Sequence, residues 1–174
     1  MILGKKTAAA LLPLLCGLAT LADAAEPIYR MEDLERLGWA DLECIYRQAE
    51  PGRIPHGFAQ GRVVYCPDAF LAGAKSGLTH ILWRGKYFCP EEGTLVNQWS
   101  GIRAIHATVS PGPSWLDGKP AIILDYSATS RIWSDVRDEM REVSPGVYLG
   151  AMYLRPCPEP RLKLFFVLKT CACP

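Results

Sequence analysis

The sequence lacks the short motifs that identify many enzyme classes. It has no G-x-S-x-G nucleophile motif, no P-loop and no glycine pattern of a dinucleotide-binding fold. Its three histidines are scattered, and its cysteines do not have the paired spacing of a zinc site. We therefore predict no metal and no cofactor.

Net charge is also nearly absent. The chain has 19 Lys and Arg against 18 Asp and Glu, without a basic cluster. Proteins that bind nucleic acid or an anionic membrane surface usually carry a basic patch. We predict neither of these as a partner.

Long apolar runs are missing except near the N-terminus. There, two lysines precede an uncharged, Ala- and Leu-rich run from Thr7 to Leu21, which is followed by the small-x-small pattern Ala22-Asp23-Ala24. This pattern predicts a signal peptide over residues 1–24, cleavage before Ala25 and export to the periplasm or the medium. The alternative is an uncleaved membrane anchor, but an anchor needs about 20 apolar residues. We predict no integral membrane anchor.

Cysteines are present in a number that permits disulfides. Of the seven in the chain, Cys16 would leave with the signal peptide, and an even count would remain. The spacing does not give the pairing. Cys66 and Cys89 each end a strand-like run and each precede a proline, so we favour a bridge between them.

The mature chain reads as one helix followed by strands. Apolar residues recur at mostly helical spacing over 31–49, and Pro51-Gly52 ends this segment. After it, runs of β-branched and aromatic residues lie between Gly, Pro and Asp breakers. The predicted strands are 61–66, 78–88, 102–110, 121–127, 136–143, 147–155 and 162–170.

Short turns between the strands indicate their arrangement. Asp117-Gly118 separates two strands, and Pro145-Gly146 joins two more with almost no loop, as in an antiparallel meander. Closure protects the edges of such a sheet. The predicted fold is mainly β: a single domain over residues 25–174, in which the meander closes into a lipocalin-like β-barrel with an N-terminal helix. A β-sandwich is the alternative.

Four short runs carry a resemblance to a known family. They are IPHGFAQG at 54–61, LWRGKYF at 82–88, PAIILDY at 120–126 and GVYLGAM at 146–152. They resemble the Gly-rich start and the W-x-G-K-x-F, P-x-I-I-x-D-Y and L-G-x-M runs of small calycin-like barrels of the GXWXG type, although no Trp stands between Gly57 and Gly61. The resemblance spans roughly residues 54–169 and implies a lipocalin-like barrel. It implies little about chemistry, because members of this family largely lack assigned activities.

A small barrel can enclose one ligand, because alternate residues of each strand face inwards. We therefore predict an exported protein that binds a small hydrophobic or amphipathic molecule or a lipid. Apolar side chains on suitable strands could line the interior or simply fill it: Val109, Ile123, Leu149, Leu164 and Phe166. Trp99, Trp115 and Trp133 could rim a mouth or cap the barrel. The candidate ligand-binding residues are Trp83, Arg103, Asp125, Tyr126, Arg137 and Tyr148.

Charged residues within strands allow further interpretations. Asp125 lies mid-strand, where a carboxylate must be paired or reach solvent, and we predict an ion pair with Arg137 or Arg141 across the sheet. One alternative function is a small enzyme in which His106 acts as a base beside Asp125 or Asp138. Another is an envelope structural or interaction protein, which would expose a contiguous apolar patch.

Overall fold

A computed structural model describes residues 28–65, 82–155 and 158–170 of the protein. The predicted signal peptide and Cys66 lie outside these residues. Cys89 has a free thiol, so the structure does not show the predicted Cys66–Cys89 bridge. None of the described helices combines the length and the hydropathy needed to cross a membrane.

The elements are α1 (Met31–Leu34), α2 (Trp39–Gln48), β1 (Gly57–Tyr65), β2 (Trp83–Cys89), β3 (Thr94–Trp99), β4 (Arg103–Pro113), β5 (Pro120–Asp125), β6 (Val136–Ser144), β7 (Val147–Leu154) and β8 (Arg161–Thr170), with a 3-10 turn at Pro90–Glu92.

The eight strands form a closed antiparallel barrel. Each strand pairs with the next in sequence, and β8 pairs with β1 to close the sheet. The predicted mainly β fold and its closure into a barrel are confirmed. The sequence pattern missed β3, because Asn97 and Gln98 interrupt its short apolar run.

The N-terminal helical segment differs from the prediction. Instead of one helix over 31–49, the chain forms two helices separated at Gly38, which has an extended backbone and directly precedes α2. Buried residues of both helices, among them Leu34 and Leu42, pack on the outer face of β7 and β8. The helices therefore lie against the outside of the barrel and leave its interior free.

The barrel wall separates two apolar layers, because successive residues of a strand point to opposite faces. The inner layer includes Phe88, Leu124 and Phe166, and the outer layer, beneath the helices, includes Leu149 and Phe165. Val109, Leu164 and Phe166 face inwards as predicted. Leu149 lies on the outer face. Ile123 also lies on the outer face, because its neighbours Ile122 and Leu124 both face inwards.

Arg141 joins the helices to the barrel. Its fully buried guanidinium binds both carboxylate oxygens of Asp117, at 2.8 and 2.7 Å, and donates to the carbonyls of Tyr46, Lys119 and Pro120. This single side chain therefore connects β6, the loop between β4 and β5, and the end of α2. The predicted pairing of Arg141 with Asp125 is wrong, since Arg141 is already bound to Asp117.

Candidate ligand-binding cavity

A cavity of about 60 Å³ lies inside the barrel, at the end where β2, β4, β6 and β8 begin. By volume, it has room for about four water molecules or one small organic group. Its wall is mainly apolar and aromatic, with a compact polar cluster on one side. The lining residues are Val63, Trp83, Lys86, Asn97, Trp99, Ile105, Tyr126, Trp133, Val136, Asp138, Met152, Leu164 and Phe166.

A buried ion pair crosses the barrel beside this cavity. Lys86 lies on β2 and Asp138 on β6, on opposite walls of the eight-stranded sheet. Lys86 Nζ is 3.0 Å from Asp138 Oδ2, and the two residues are only 2% and 4% exposed. Desolvation makes such a pair costly, so it adds little net stability compared with apolar side chains of similar volume.

Every hydrogen of the Lys86 ammonium has an acceptor. Besides Asp138, Nζ donates to Asn97 Oδ1 at 2.9 Å and to the Tyr126 hydroxyl at 2.6 Å. A lysine ammonium has three N–H donors. Lys86 therefore has no donor left for a ligand.

The same ammonium is surrounded by aromatic rings. Nζ lies 5.3 Å from the ring centroids of Trp83 and Phe166 and 5.4 Å from that of Tyr126. These distances permit cation–π attraction, which supports the charged form of the lysine. Phe166 can lie here because Gly150 has no side chain: a Cβ at that position would be 2.1 Å from the ring.

Asn97 and Tyr126 complete the polar cluster. The Tyr126 hydroxyl donates to Asp138 Oδ2 at 3.1 Å, and Asn97 Nδ2 donates to the Tyr126 hydroxyl at 3.1 Å. Asn97 Oδ1 also accepts from Trp83 Nε1 at 3.1 Å. Hydrogen bonds therefore link four of the side chains around Lys86 to one another: Trp83, Asn97, Tyr126 and Asp138.

A strained residue helps to hold Asn97. Ile105 has φ +68°, which is unfavourable for a β-branched residue, at an irregularity in the pairing of β3 with β4. Its backbone carbonyl accepts a hydrogen bond of 2.9 Å from Asn97 Nδ2. Strain of this kind persists where the surrounding structure enforces it, often at binding sites.

The cluster has defined protonation states at neutral pH. Burial lowers the pKa of Lys86, but the Asp138 charge and the contacts with Tyr126 and Asp138 outweigh this effect, so the pKa rises above its usual value. Burial, reinforced by the Asp138 charge, raises the pKa of Tyr126 to about 12. The site therefore contains an ammonium and a neutral phenol.

Two buried polar atoms of the lining residues have no hydrogen-bond partner. They are Asp138 Oδ1, an acceptor, and Trp99 Nε1, a donor. Buried polar groups are nearly always paired, and each exception requires an explanation. Both belong to side chains that line the cavity, but the two atoms themselves are almost completely covered by protein. A partner in the cavity would reach them after a small shift of these side chains.

The structure places two of the six candidate ligand-binding residues, Trp83 and Tyr126, in the cavity wall. Tyr148 also belongs to the inner layer, but its hydroxyl donates to the Arg53 carbonyl at 2.8 Å and it does not line this cavity. Trp99 and Trp133 line the cavity, whereas Trp115 lies outside it, against Tyr153.

The other three candidates lie on the outer face of the barrel wall. Arg103 is exposed and stacks on Tyr87, with its guanidinium 4.0 Å from the ring centroid. Asp125 is opposite Arg137 in register, yet it pairs with Arg155 at 2.7 Å.

The predicted pairing of Asp125 with Arg137 is therefore wrong. Arg137 instead contacts Glu139 at 2.7 Å and lies over the Trp115 ring. Its guanidinium also donates to the Pro113 carbonyl, which turns it towards the loop that follows β4.

The arrangement does not support catalysis by His106 with a carboxylate. His106 is exposed on the outer face of β4, while Asp138 is buried on the inner side of the wall. Within the described ranges, the ion pairs include a single histidine, His56 with Glu91. The described residues also contain no group of three or more His, Cys, Asp or Glu side chains able to hold a metal.

The sequence prediction missed Lys86 and Asn97 as site residues. Lys86 lies two residues before the buried Phe88, and this alternation places its side chain in the interior. Asn97 lies two residues from each of the inward-facing Leu95 and Trp99, in a strand that was not predicted. A polar or charged residue on the apolar face of a strand was the available signal.

Comparison with known proteins supports the fold. A solved structure of a protein from Thermomonospora curvata is similar, with a TM-score of 0.52, 21% sequence identity, and coverage of 76% of this chain and 87% of that chain. At this identity the similarity concerns the fold alone. Comparisons with protein-family models and with curated proteins give no match. The GXWXG-type resemblance is therefore not confirmed beyond a barrel fold.

Proposed function

We propose that the barrel binds a small amphipathic molecule in the cavity beside Lys86 and Asp138. The observation that carries this proposal is the unpaired Asp138 Oδ1, a buried atom of a side chain that lines a mainly apolar and aromatic cavity. An apolar wall with a few fixed polar groups is the usual composition of a small-molecule site. The apolar part of the ligand would contact Trp83, Trp99 and Trp133, and its polar end would bind the cluster.

The size of the cavity limits the ligand. Sites that enclose drug-sized molecules have volumes of about 300–1,000 Å³. The cavity measures about 60 Å³, so it fits a molecule of a few heavy atoms or one end of a longer one. A bulky ligand enclosed as a whole does not fit this form of the barrel.

Analysis of the purified protein tests this function. We expect organic extraction of the folded protein, followed by mass spectrometry, to release a small amphipathic compound. Val63→Phe should abolish its retention because Val63 lines the cavity. Val64→Phe is the matched control, since the next residue packs with the outer layer. Equal retention by both variants would contradict binding in the cavity.

Export through residues 1–24 is part of the same proposal, as is membership of the GXWXG-type family. Expression of the full chain in a bacterium with an outer membrane, followed by N-terminal sequencing, tests export. We expect a periplasmic or secreted protein that begins at Ala25. A full-length protein that stays in the cytoplasm would contradict export, without bearing on binding in the cavity.

A further inference from the structure

The polar cluster has no free donor for an anionic head group. Lys86 uses its three N–H groups on Asp138, Asn97 and Tyr126. The Tyr126 hydroxyl donates to Asp138 Oδ2, and Asn97 Nδ2 donates to the Ile105 carbonyl and to the Tyr126 hydroxyl. Within the cluster, a carboxylate would therefore meet satisfied donors and the repulsion of Asp138, and the unpaired Trp99 Nε1 lies outside the cluster.

The unpaired atom of the cluster is an acceptor. Asp138 Oδ1 has no partner, whereas Asp138 Oδ2 is bound by Lys86 and Tyr126. Leaving a buried acceptor unsatisfied costs free energy, so a ligand that donates a hydrogen bond to Oδ1 should bind more tightly than one that cannot. Trp99 Nε1 adds an unpaired buried donor, on the residue two positions beyond Asn97 along β3. A hydroxyl group can both donate and accept.

A cationic head group does not fit the site either. The Asp138 carboxylate is already balanced by Lys86 at 3.0 Å, and a second cation at Oδ1 would be repelled by that ammonium. Because the pair is buried, solvent screens this repulsion weakly. The charges therefore favour an uncharged donor.

From these contacts we infer that the cavity selects a neutral head group that donates a hydrogen bond, such as an alcohol or a primary amide, over a carboxylate of equal chain length. The selecting atom is Asp138 Oδ1. This inference rests on the proposed function and specifies its ligand class.

Three probes with equal numbers of carbon atoms test the selection: 1-hexanol, its isomer methyl pentyl ether, and hexanoate. Their dissociation constants can be measured by intrinsic tryptophan fluorescence at neutral pH, since three of the five tryptophans line the cavity. We expect 1-hexanol to bind about tenfold more tightly than the ether, which cannot donate, and more tightly still than hexanoate.

A double variant locates the selection in the ion pair. Lys86→Met with Asp138→Leu removes both charges together, and we expect its affinity for 1-hexanol to fall to that for the ether. Asp125→Asn is the control because Asp125 lies on the outer face and pairs with Arg155, so the preference for the alcohol should remain. If the double variant does not fold, the affinities of the natural protein for the three probes alone test whether the cavity selects a neutral donor.

The outcomes separate this inference from the proposed function. Equal binding of the three probes, or tightest binding of hexanoate, overturns the neutral-donor selection and leaves small-molecule binding standing. If the folded protein binds none of the three and releases no compound on extraction, both are overturned. A preference for the alcohol that persists in the double variant overturns the role of Asp138.

Discussion

Lys86 and Asp138 meet inside the barrel from opposite walls, with 3.0 Å between Nζ and Oδ2. Removing one member of this ion pair should destabilise the folded protein far more than replacing both members with apolar residues. We expect Lys86→Met alone to lower the free energy of unfolding by about 3–5 kcal/mol, because it leaves a buried charge unpaired. Lys86→Met with Asp138→Leu should restore most of that loss. Urea unfolding measures both, and a single variant as stable as the natural protein would contradict the account.

Stability should fall in alkaline solution. The folded protein holds the proton of Tyr126 up to a pKa of about 12, whereas the unfolded chain releases it near 10.0. The pKa of Lys86 is raised above its usual 10.5 as well. The folded state therefore binds more protons than the unfolded state above pH 10, and the free energy of unfolding decreases as pH rises. Urea unfolding over this range should show a shallower decrease for Tyr126→Phe.

Arg141 should be essential to the attachment of α2. We expect Arg141→Met to lower the free energy of unfolding by about 3 kcal/mol, because it removes the cationic partner of Asp117 and one donor from each of three backbone carbonyls. Arg103→Met is the control: Arg103 is exposed, and its loss should change stability by less than about 0.5 kcal/mol. Hydrogen exchange should also show faster exchange of the α2 amides in the Arg141 variant only. Unchanged protection of α2 would be inconsistent with this role.

Gly150 should tolerate no side chain. A Cβ there would be 2.1 Å from the Phe166 ring, which lines the cavity. Gly150→Ala should therefore cost about 1–3 kcal/mol of stability and displace Phe166, with weaker binding of 1-hexanol. Gly38→Ala is the matched control because its Cβ would have an ordinary contact of 3.7 Å. Equal stability and binding of both variants would refute the packing described.

The strand pattern was sufficient to predict the barrel, but it did not predict the cluster. Period-2 alternation and short turns indicate strands, including β6 with its five charged residues in 137–142, and a meander of this length closes. Partners across the barrel are set by strand number and register. Lys86 and Asp138 are 52 residues apart, and no local pattern connects them. Asp125 shows the same limit, since it has Arg137 opposite in register yet pairs with Arg155.

An NMR titration of the isotopically labelled protein with 1-hexanol tests binding in the cavity most directly. We predict saturable chemical-shift changes concentrated at Lys86, Asn97, Tyr126 and Asp138, with smaller changes in the outer layer beneath α1 and α2. No saturable change, or changes confined to the outer surface, would contradict the proposal that the barrel binds its ligand inside.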